Sequence, residues 1–380
     1  MIITSVFSLA AAFAPNLYVL SLLLLCMGFG AGGNLPIDGT IFIEFVGLEH
    51  QSKLIVMCAF ESLGQFITSF LALLIIPVPG LSCTQMEGCT MDENYGWRIL
   101  QMSLGLVTLL TIVARVLFFH LGETPKFLVS RGRFSEAVEV LHYVAEKNGT
   151  KALVRVSDFK ALPADSKKSP KMNETMTQTL YRTLRIMFSK ELRVTTILLG
   201  SLTVSMAFGN TMFFGFLPRY LSLMGAHPSL KDIYKNLVIV SLISIPGSFA
   251  GMYLSDSIFG RKLSMVWAAI GISLLILAFS TVESSASILL ITSAAGFLQS
   301  LKHSVMYSYL HEVYPTEVRG TAGAVVHSVG KISGIAAPLI GGYLMDISYK
   351  LPLYLSASML SFTALIIFCL PIETRDVEAH

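Results

Sequence analysis

Charge is what this sequence is short of. Only 13% of its 380 residues are Asp, Glu, Lys or Arg, against 53% hydrophobic residues, and mean hydropathy is +0.68. A soluble globular chain carries about 25% charged residues, so an ordinary solvated surface is excluded. Residues 1–37 contain no charged side chain. With no basic stretch ahead of that apolar run, a signal peptide is not expected. The sequence also lacks the alternating segments of roughly ten residues that mark a membrane barrel. Its apolar runs are long and unalternated, so membrane-spanning helices follow. The glycine-rich run Gly28–Gly33 has no Lys-Ser/Thr after it, which disfavours a phosphate loop and an ATP-driven pump. No metal-ligand spacing and no activated nucleophile stand out. An enzyme, a metal and a cofactor are therefore not expected.

Cysteines are few, five in all. Cys26, Cys58 and Cys369 fall in apolar runs and read as small packing residues. Cys83 and Cys89 share one polar loop, where either free thiols or a local disulfide fit; an extracytoplasmic loop permits the bridge.

The scarce charge is unevenly spread. Residues 122–193 hold 14 Lys/Arg against 8 Asp/Glu, while the remainder of the chain is net acidic. Basic loops stay on the cytoplasmic side, which places this segment inside. Its cations are mixed with acids and few aromatics, so a nucleic-acid partner is not expected. Ser135–Leu141 reads as part of an amphipathic helix, and the stretch around Pro163, Lys167, Lys168 and Pro170 as linker.

Apolar runs predict spans at about 1–14, 17–43, 54–76, 97–121, 194–223, 236–255, 263–281, 286–311, 321–345 and 351–371. Pro15-Asn16 breaks the first long run, as an X-Pro pair in a turn does. The chain also repeats itself. Gly28 to Glu44 (a glycine-packed apolar run carrying one acid, Asp38) has the same plan as Gly296 to Glu312. Glu61 and Gln65 match His327 and Lys331 at nearly the same offset. Two local matches at one offset indicate two related halves.

Six motifs now fall in order. Gly28-Phe-Gly30-Ala-Gly32-Gly33 is followed by Glu44, and Gly96-Trp97-Arg98 stands before the fourth span. Glu123-Thr-Pro125-Lys126 runs on to Arg131-Gly132-Arg133 and Glu136-Ala137. Asp256-Ser-Ile-Phe-Gly260-Arg261-Lys262, Glu312-Val-Tyr-Pro315-Thr-Glu-Val-Arg319-Gly320 and Pro371-Ile-Glu373-Thr374 complete the set. Together they resemble the major facilitator superfamily, in its sugar-porter-like branch with the synaptic-vesicle-two-related proteins, over nearly the whole chain. The resemblance implies an all-α integral membrane protein with about ten transmembrane helices in two pseudo-repeated halves, four and six. It matches helices three to twelve of the family's twelve. Helices one and two and the first copy of the gating loop have no match, and Gln51 stands where an arginine matching Arg319 is expected. Met1 falls inside what the resemblance makes helix three, so an alternative start, a splice form or an incomplete gene model is expected. The expected units are a half-bundle over 1–121, a cytoplasmic segment over 122–193, a six-helix bundle over 194–371 and a cytoplasmic tail over 372–380.

An ionisable group inside a span costs a few kcal/mol and so faces a cavity or a partner. Asp38 sits four residues after Asn34, on one helix face; the resemblance puts both on a cavity helix. Lys302 and His303 on the matched helix, with Tyr307, are expected to face the same cavity. The competing reading makes Lys302 and Asp38 a structural ion pair. Asn210 is the polar candidate on helix seven, where Phe213, Phe214 and Phe216 read as packing, with stacking on a solute ring as the alternative. Glu61, His327 and Lys331 either touch the pathway or brace it. Glu44, Asp256, Gly260, Arg261, Lys262, Glu312 and Arg319 resemble a cytoplasmic gate; the plainer reading is that cationic loops only fix orientation.

The expected function is secondary active transport of a small polar or anionic organic solute, sugar- or carboxylate-like, proton-coupled and by alternating access. The alternative is a non-transporting solute receptor or regulator, or an inactive truncated form. The expected partners are the solute, protons and the lipid bilayer, for a monomer in the plasma membrane or a vesicular or vacuolar membrane, with its C-terminus cytoplasmic.

Overall fold

The computed structural model describes residues 1–46, 53–83, 94–118, 123–151, 153–160, 176–223, 229–315 and 318–374. Among them the regular structure is helical, without strands. The first half holds α1 (Ile2–Ala11), α2 (Leu17–Gly32), α3 (Asn34–Phe45), α4 (Leu54–Ile75) and α5 (Gly96–Phe118). The basic segment carries α6 (Pro125–Ser130), α7 (Phe134–Lys147), α8 (Val156–Lys160) and α9 (Met176–Met187). The second half holds α10 (Arg193–Asn210), α11 (Leu217–Leu223), α12 (Leu230–Asp256), α13 (Gly260–Phe279), α14 (Ser285–Val313), α15 (Arg319–Ile347) and α16 (Lys350–Phe368).

Local chemistry sets several boundaries. The expected break at Pro15-Asn16 is a helix start: Asn16 Oδ1 accepts from Val19 N at 2.9 Å and caps α2. The span expected over 17–43 is two helical pieces, α2 and α3, divided at Gly33. Pro36 lies in the first turn of α3, where its missing N–H is tolerated. The loop expected up to residue 235 ends sooner. Ser229 accepts from Asp232 N, returns its hydroxyl to the Asp232 carboxylate, and starts α12 at Leu230. The span over 194–223 is also interrupted. A π-helical turn, Thr211–Gly215, joins α10 to α11, and Tyr220 braces it by donating to Met212 O at 2.8 Å. The stretch around Pro163 to Pro170 lies outside the described residues.

Seven of these segments are long and apolar enough to cross a membrane, with α10 and α11 counted as one. At 29 residues, α14 spans about 43 Å. Its polar content keeps it out of the seven: Lys302, His303, His311 and Glu312 all lie on it. α1 and α2 are shorter apolar helices.

Helices α1, α2 and α5 pack together, and the Gly-Trp-Arg motif explains how. Arg98 donates to the carbonyls of Ala12 (3.0 Å) and Ala14 (2.9 Å), beyond the last turn of α1. Those carbonyls have no partner within the helix, and a cation suits the negative end of its dipole. In the second half, Ser205 and Thr363 join α10 to α16 at 2.9 Å, and Ser333 joins α15 to Val204 O at 3.0 Å. Such bonds average about 0.6 kcal/mol in membranes, so packing carries most of the stability. The main buried cluster runs through Leu199, Met265, Leu301, Tyr309 and Ile367, all in the second half. Between the halves, α4 lies along α12 and α14. Ser62 pairs with Ser300 and Ser69 with Ser241, both at 3.0 Å.

Candidate functional site

A cavity of about 990 Å³ opens where α4 meets the second half. Helical spacing builds its walls. On α4, Cys58, Glu61, Gln65 and Thr68 recur every three or four residues and so share a face. Gln299, His303 and Tyr307 do the same on α14, as do His327, Lys331 and Gly334 on α15. α10 adds Thr203 and Asn210, and the π turn adds Phe214. The halves touch inside it: Glu61 Oε2 lies 3.3 Å from His303 Nδ1. Three buried polar atoms of residues in the wall, Asn210 Oδ1, Gln299 Oε1 and His327 Nε2, make no hydrogen bond with the described residues. Tyr307 is nearly buried, with its ring 6.3 Å from that of His327 and 4.6 Å from that of His311.

Two expected cavity residues are elsewhere. Lys302 does not line the cavity; it is fully buried in α14 and its Nζ has no hydrogen-bond partner among the described residues. One residue of helix turns the side chain by about 100°, so Lys302 and its neighbour His303 face different surroundings. The alternative pairing with Asp38 is not made either. Asp38 is half-buried in α3, outside the cavity wall, and the cations whose charges act on it are Arg115 and the N-terminal amine. The side chain of Asn34 lies outside what the structure describes. Next to Asp38, Gly39 lets α3 approach α14 closely. A Cβ there would stand 2.5 Å from the Tyr307 hydroxyl and 2.6 Å from His311 Nε2. His311 and Gln299 were not anticipated from the sequence. The spacing of His303, Tyr307 and His311 at four-residue steps on one helix is a signal that could have found His311.

A second constellation gathers at the end of the bundle near α6. Arg261 grips Glu312 through two bonds, 3.2 and 3.1 Å, and reaches Asp256 at 3.2 Å and Ser255 O at 3.1 Å. Ser308 adds a bond to Glu312 at 2.7 Å. Glu373 closes the cluster by accepting from the backbone N–H groups of Arg261 (2.9 Å) and Lys262 (3.2 Å). A carboxylate at a helix N-terminus is favoured by the dipole. Gly260 is required there: its φ is +66°, and a Cβ would press on the Glu373 carboxylate. Glu373 was expected only as part of a closing motif. Lys262 Nζ donates to Leu370 O. Glu44 accepts from the Thr124 hydroxyl at the start of α6, rather than from a cation of the gate. Arg319 is buried, donates to Tyr314 O at 3.2 Å, and feels the charges of Glu44 and Glu312.

At the opposite end Cys83 is disulfide-bonded, whereas Cys26, Cys58 and Cys369 are free. Cys89 lies outside the described residues, as does Gln51.

Comparison with known proteins gives a consistent picture. The model of the family described as "Sugar (and other) transporter" matches residues 1–378. The chain is 30% identical to "MFS siderochrome iron transporter 1" of Ceriporiopsis subvermispora, over 99% of this chain and 74% of that protein. It is 22% identical to the niacin transporter NiaP of Acinetobacter baylyi, over 91% of this chain and 70% of that one. Its fold is similar to that of the proton:xylose symporter XylE bound to 6-bromo-6-deoxy-D-glucose. The TM-score is 0.70 at 16% identity, covering 100% of this chain and 80% of that one.

Proposed function

The chain belongs to the sugar (and other) transporter family of the major facilitator superfamily, and from that premise we propose that it moves a small polar or anionic organic solute by proton-coupled alternating access. It is a multi-pass integral membrane protein and a solute transporter, not an enzyme.

One observation carries the finer reading: a cavity of about 990 Å³ between the halves with three buried polar atoms that the protein leaves unbonded. Leaving a buried polar group unsatisfied costs about 1–3 kcal/mol. A change of state that opens these atoms to the cavity would let the donors and acceptors of a solute recover that. Lys331, His303 and His327 line the same wall, which favours an anionic or hydroxylated solute. The single carboxylate of Glu61 is matched by His303. Relatives named for niacin and siderochrome iron transport support an organic cargo.

We assign the coupling to the Glu61–His303 contact, which joins a carboxyl group of one half to an imidazole of the other. Protonating Glu61 weakens the link and frees the halves to rock. At the α6 end, Glu44 belongs to the first half and Arg319 to the second, so their attraction favours one state of that rocking. Residues 122–193, with their excess of Lys and Arg, make that end cytoplasmic. The disulfide of Cys83 then faces the oxidising side.

Reconstituted protein with an imposed inward proton gradient tests this. Uptake of labelled aliphatic and aromatic carboxylates and polyols is measured in parallel. At least one is expected to accumulate only with the gradient. Glu61→Gln should abolish that accumulation while keeping solute exchange. Accumulation indifferent to the gradient would remove the coupling; no uptake or binding of any carboxylate or polyol would remove the solute class.

A further inference from the structure

The cavity wall holds a donor set of which the transport reading uses only Glu61 and His303, leaving Cys58 without a role. Cys58 and Glu61 are three residues apart on α4 and share a face. His303 reaches them from α14, in the other half. The Cys58 Sγ, a Glu61 carboxylate oxygen and a His303 ring nitrogen all lie within 4.8 Å of one another. No sequence spacing announces this, because the ligands come from two helices far apart in the chain.

We propose that Cys58, Glu61 and His303 form a site for a divalent transition metal ion, with Zn²⁺ as the type ion, that joins the two halves of the transporter. The donor chemistry selects the ion. Thiolate, imidazole and carboxylate together suit Zn²⁺ and its neighbours, whereas Mg²⁺ and Ca²⁺ prefer all-oxygen sets. Tetrahedral Zn²⁺ holds its ligands at about 2.0–2.3 Å, which places donor atoms on the order of 3.5 Å apart. Small side-chain rotations close the difference from the present separations. Three protein ligands leave a fourth position for water or another oxygen donor. Binding breaks the Glu61–His303 contact, ejects the Cys58 thiol proton to solvent, and forms the three metal–ligand bonds; no electron changes hands. A bound ion ties α4 to α14 and holds the halves at their present separation. Only that last consequence rests on the alternating-access reading; binding itself does not.

The test uses the full chain, purified in detergent, with Cys26→Ser and Cys369→Ser removing the other free thiols. Titration with Co²⁺ should saturate at one ion per chain and develop a thiolate-to-cobalt absorption band, which Zn²⁺ then quenches. Cys58→Ser should lose the band. Glu61→Gln and His303→Gln should weaken binding by at least about tenfold, the least expected of a direct ligand when outer-shell partners alone are worth 10–100-fold. A measurement needing no further variant accompanies this: Zn²⁺ should slow alkylation of Cys58. Absence of the band, unchanged alkylation, or undiminished binding in His303→Gln would each overturn the site. Solute uptake plays no part in these readouts, so failure here leaves the transport reading standing, and failure of uptake leaves the site standing.

Discussion

The charge cluster around Arg261 and the central cavity are built from the same residue types and treat them in opposite ways. Arg261 is almost fully buried, yet its guanidinium is met by Glu312, Asp256 and a backbone carbonyl. In the cavity, Asn210, Gln299 and His327 each keep an unbonded polar atom. A satisfied buried network is rigid and specifies one arrangement. An unsatisfied one carries a cost that a ligand can relieve. The cluster therefore reads as a clasp within the second half, and the cavity as the place where the protein's polar chemistry is left for something else.

Four substitutions separate these roles. The largest effect is expected at Arg261→Ala, which strands Glu312 beneath the surface. Removing one partner of a buried ion pair costs about 3–5 kcal/mol, to be read as a large drop in the thermal unfolding temperature of purified protein. Stability like that of the unchanged protein would break the comparison at its strongest point. Next comes Gly39→Val. Its side chain enters the space of Tyr307 and His311, and overpacking of this kind costs about 1–3 kcal/mol. Solute flux should fall with it, because α3 and α14 belong to different halves.

Lys331→Ala is expected to act on binding instead. It lines the open cavity and is exposed. Solute affinity should fall about tenfold, equivalent to about 1.4 kcal/mol, with unfolding shifted by under about 0.5 kcal/mol. A loss of stability matching that of Arg261→Ala would show that the cavity braces the fold after all. The smallest effect is expected at the exposed trio of the basic segment. Arg133 lies 2.7 Å from Glu123 and 2.5 Å from Glu136. The hydrogen bond from Arg133 holds the Glu136 carboxyl below its ordinary range. A group so lowered stabilises above its unfolded-state pKa, and that contribution is lost as pH falls through the lowered folded value. Glu136→Gln should therefore matter slightly at neutral pH, less in high salt and not at all in strong acid. Circular-dichroism melts across pH read this directly.

Much of this was legible beforehand. Long apolar runs placed ten helical segments, and the motif order pointed to the family. The matched positions Glu61 and His327, and Gln65 and Lys331, all line one cavity. What sequence pattern missed lies mainly on α14. His303 lines the cavity, while Lys302 beside it is sealed in the protein. Polar residues occur around the whole of that helix, so no apolar stripe reveals which face turns inward. Gln299 and His311 went unremarked for the same reason.

Sequence by itself determined the solvent and the class. Scarcity of charge forces the backbone to satisfy itself within helices, and that holds whatever the helices pack against. It also determined the local devices, such as the Asn16 and Ser229 caps, because their partners lie within a turn. Tertiary structure alone decided which charges meet. Arg261 meets Glu373 through backbone groups, Glu61 meets His303, and Lys302 Nζ has no hydrogen-bond partner among the described residues. Each of these outcomes depends on how two distant helices are rotated about their axes. Where a helix shows no distinct apolar stripe, only the packed bundle fixes that rotation.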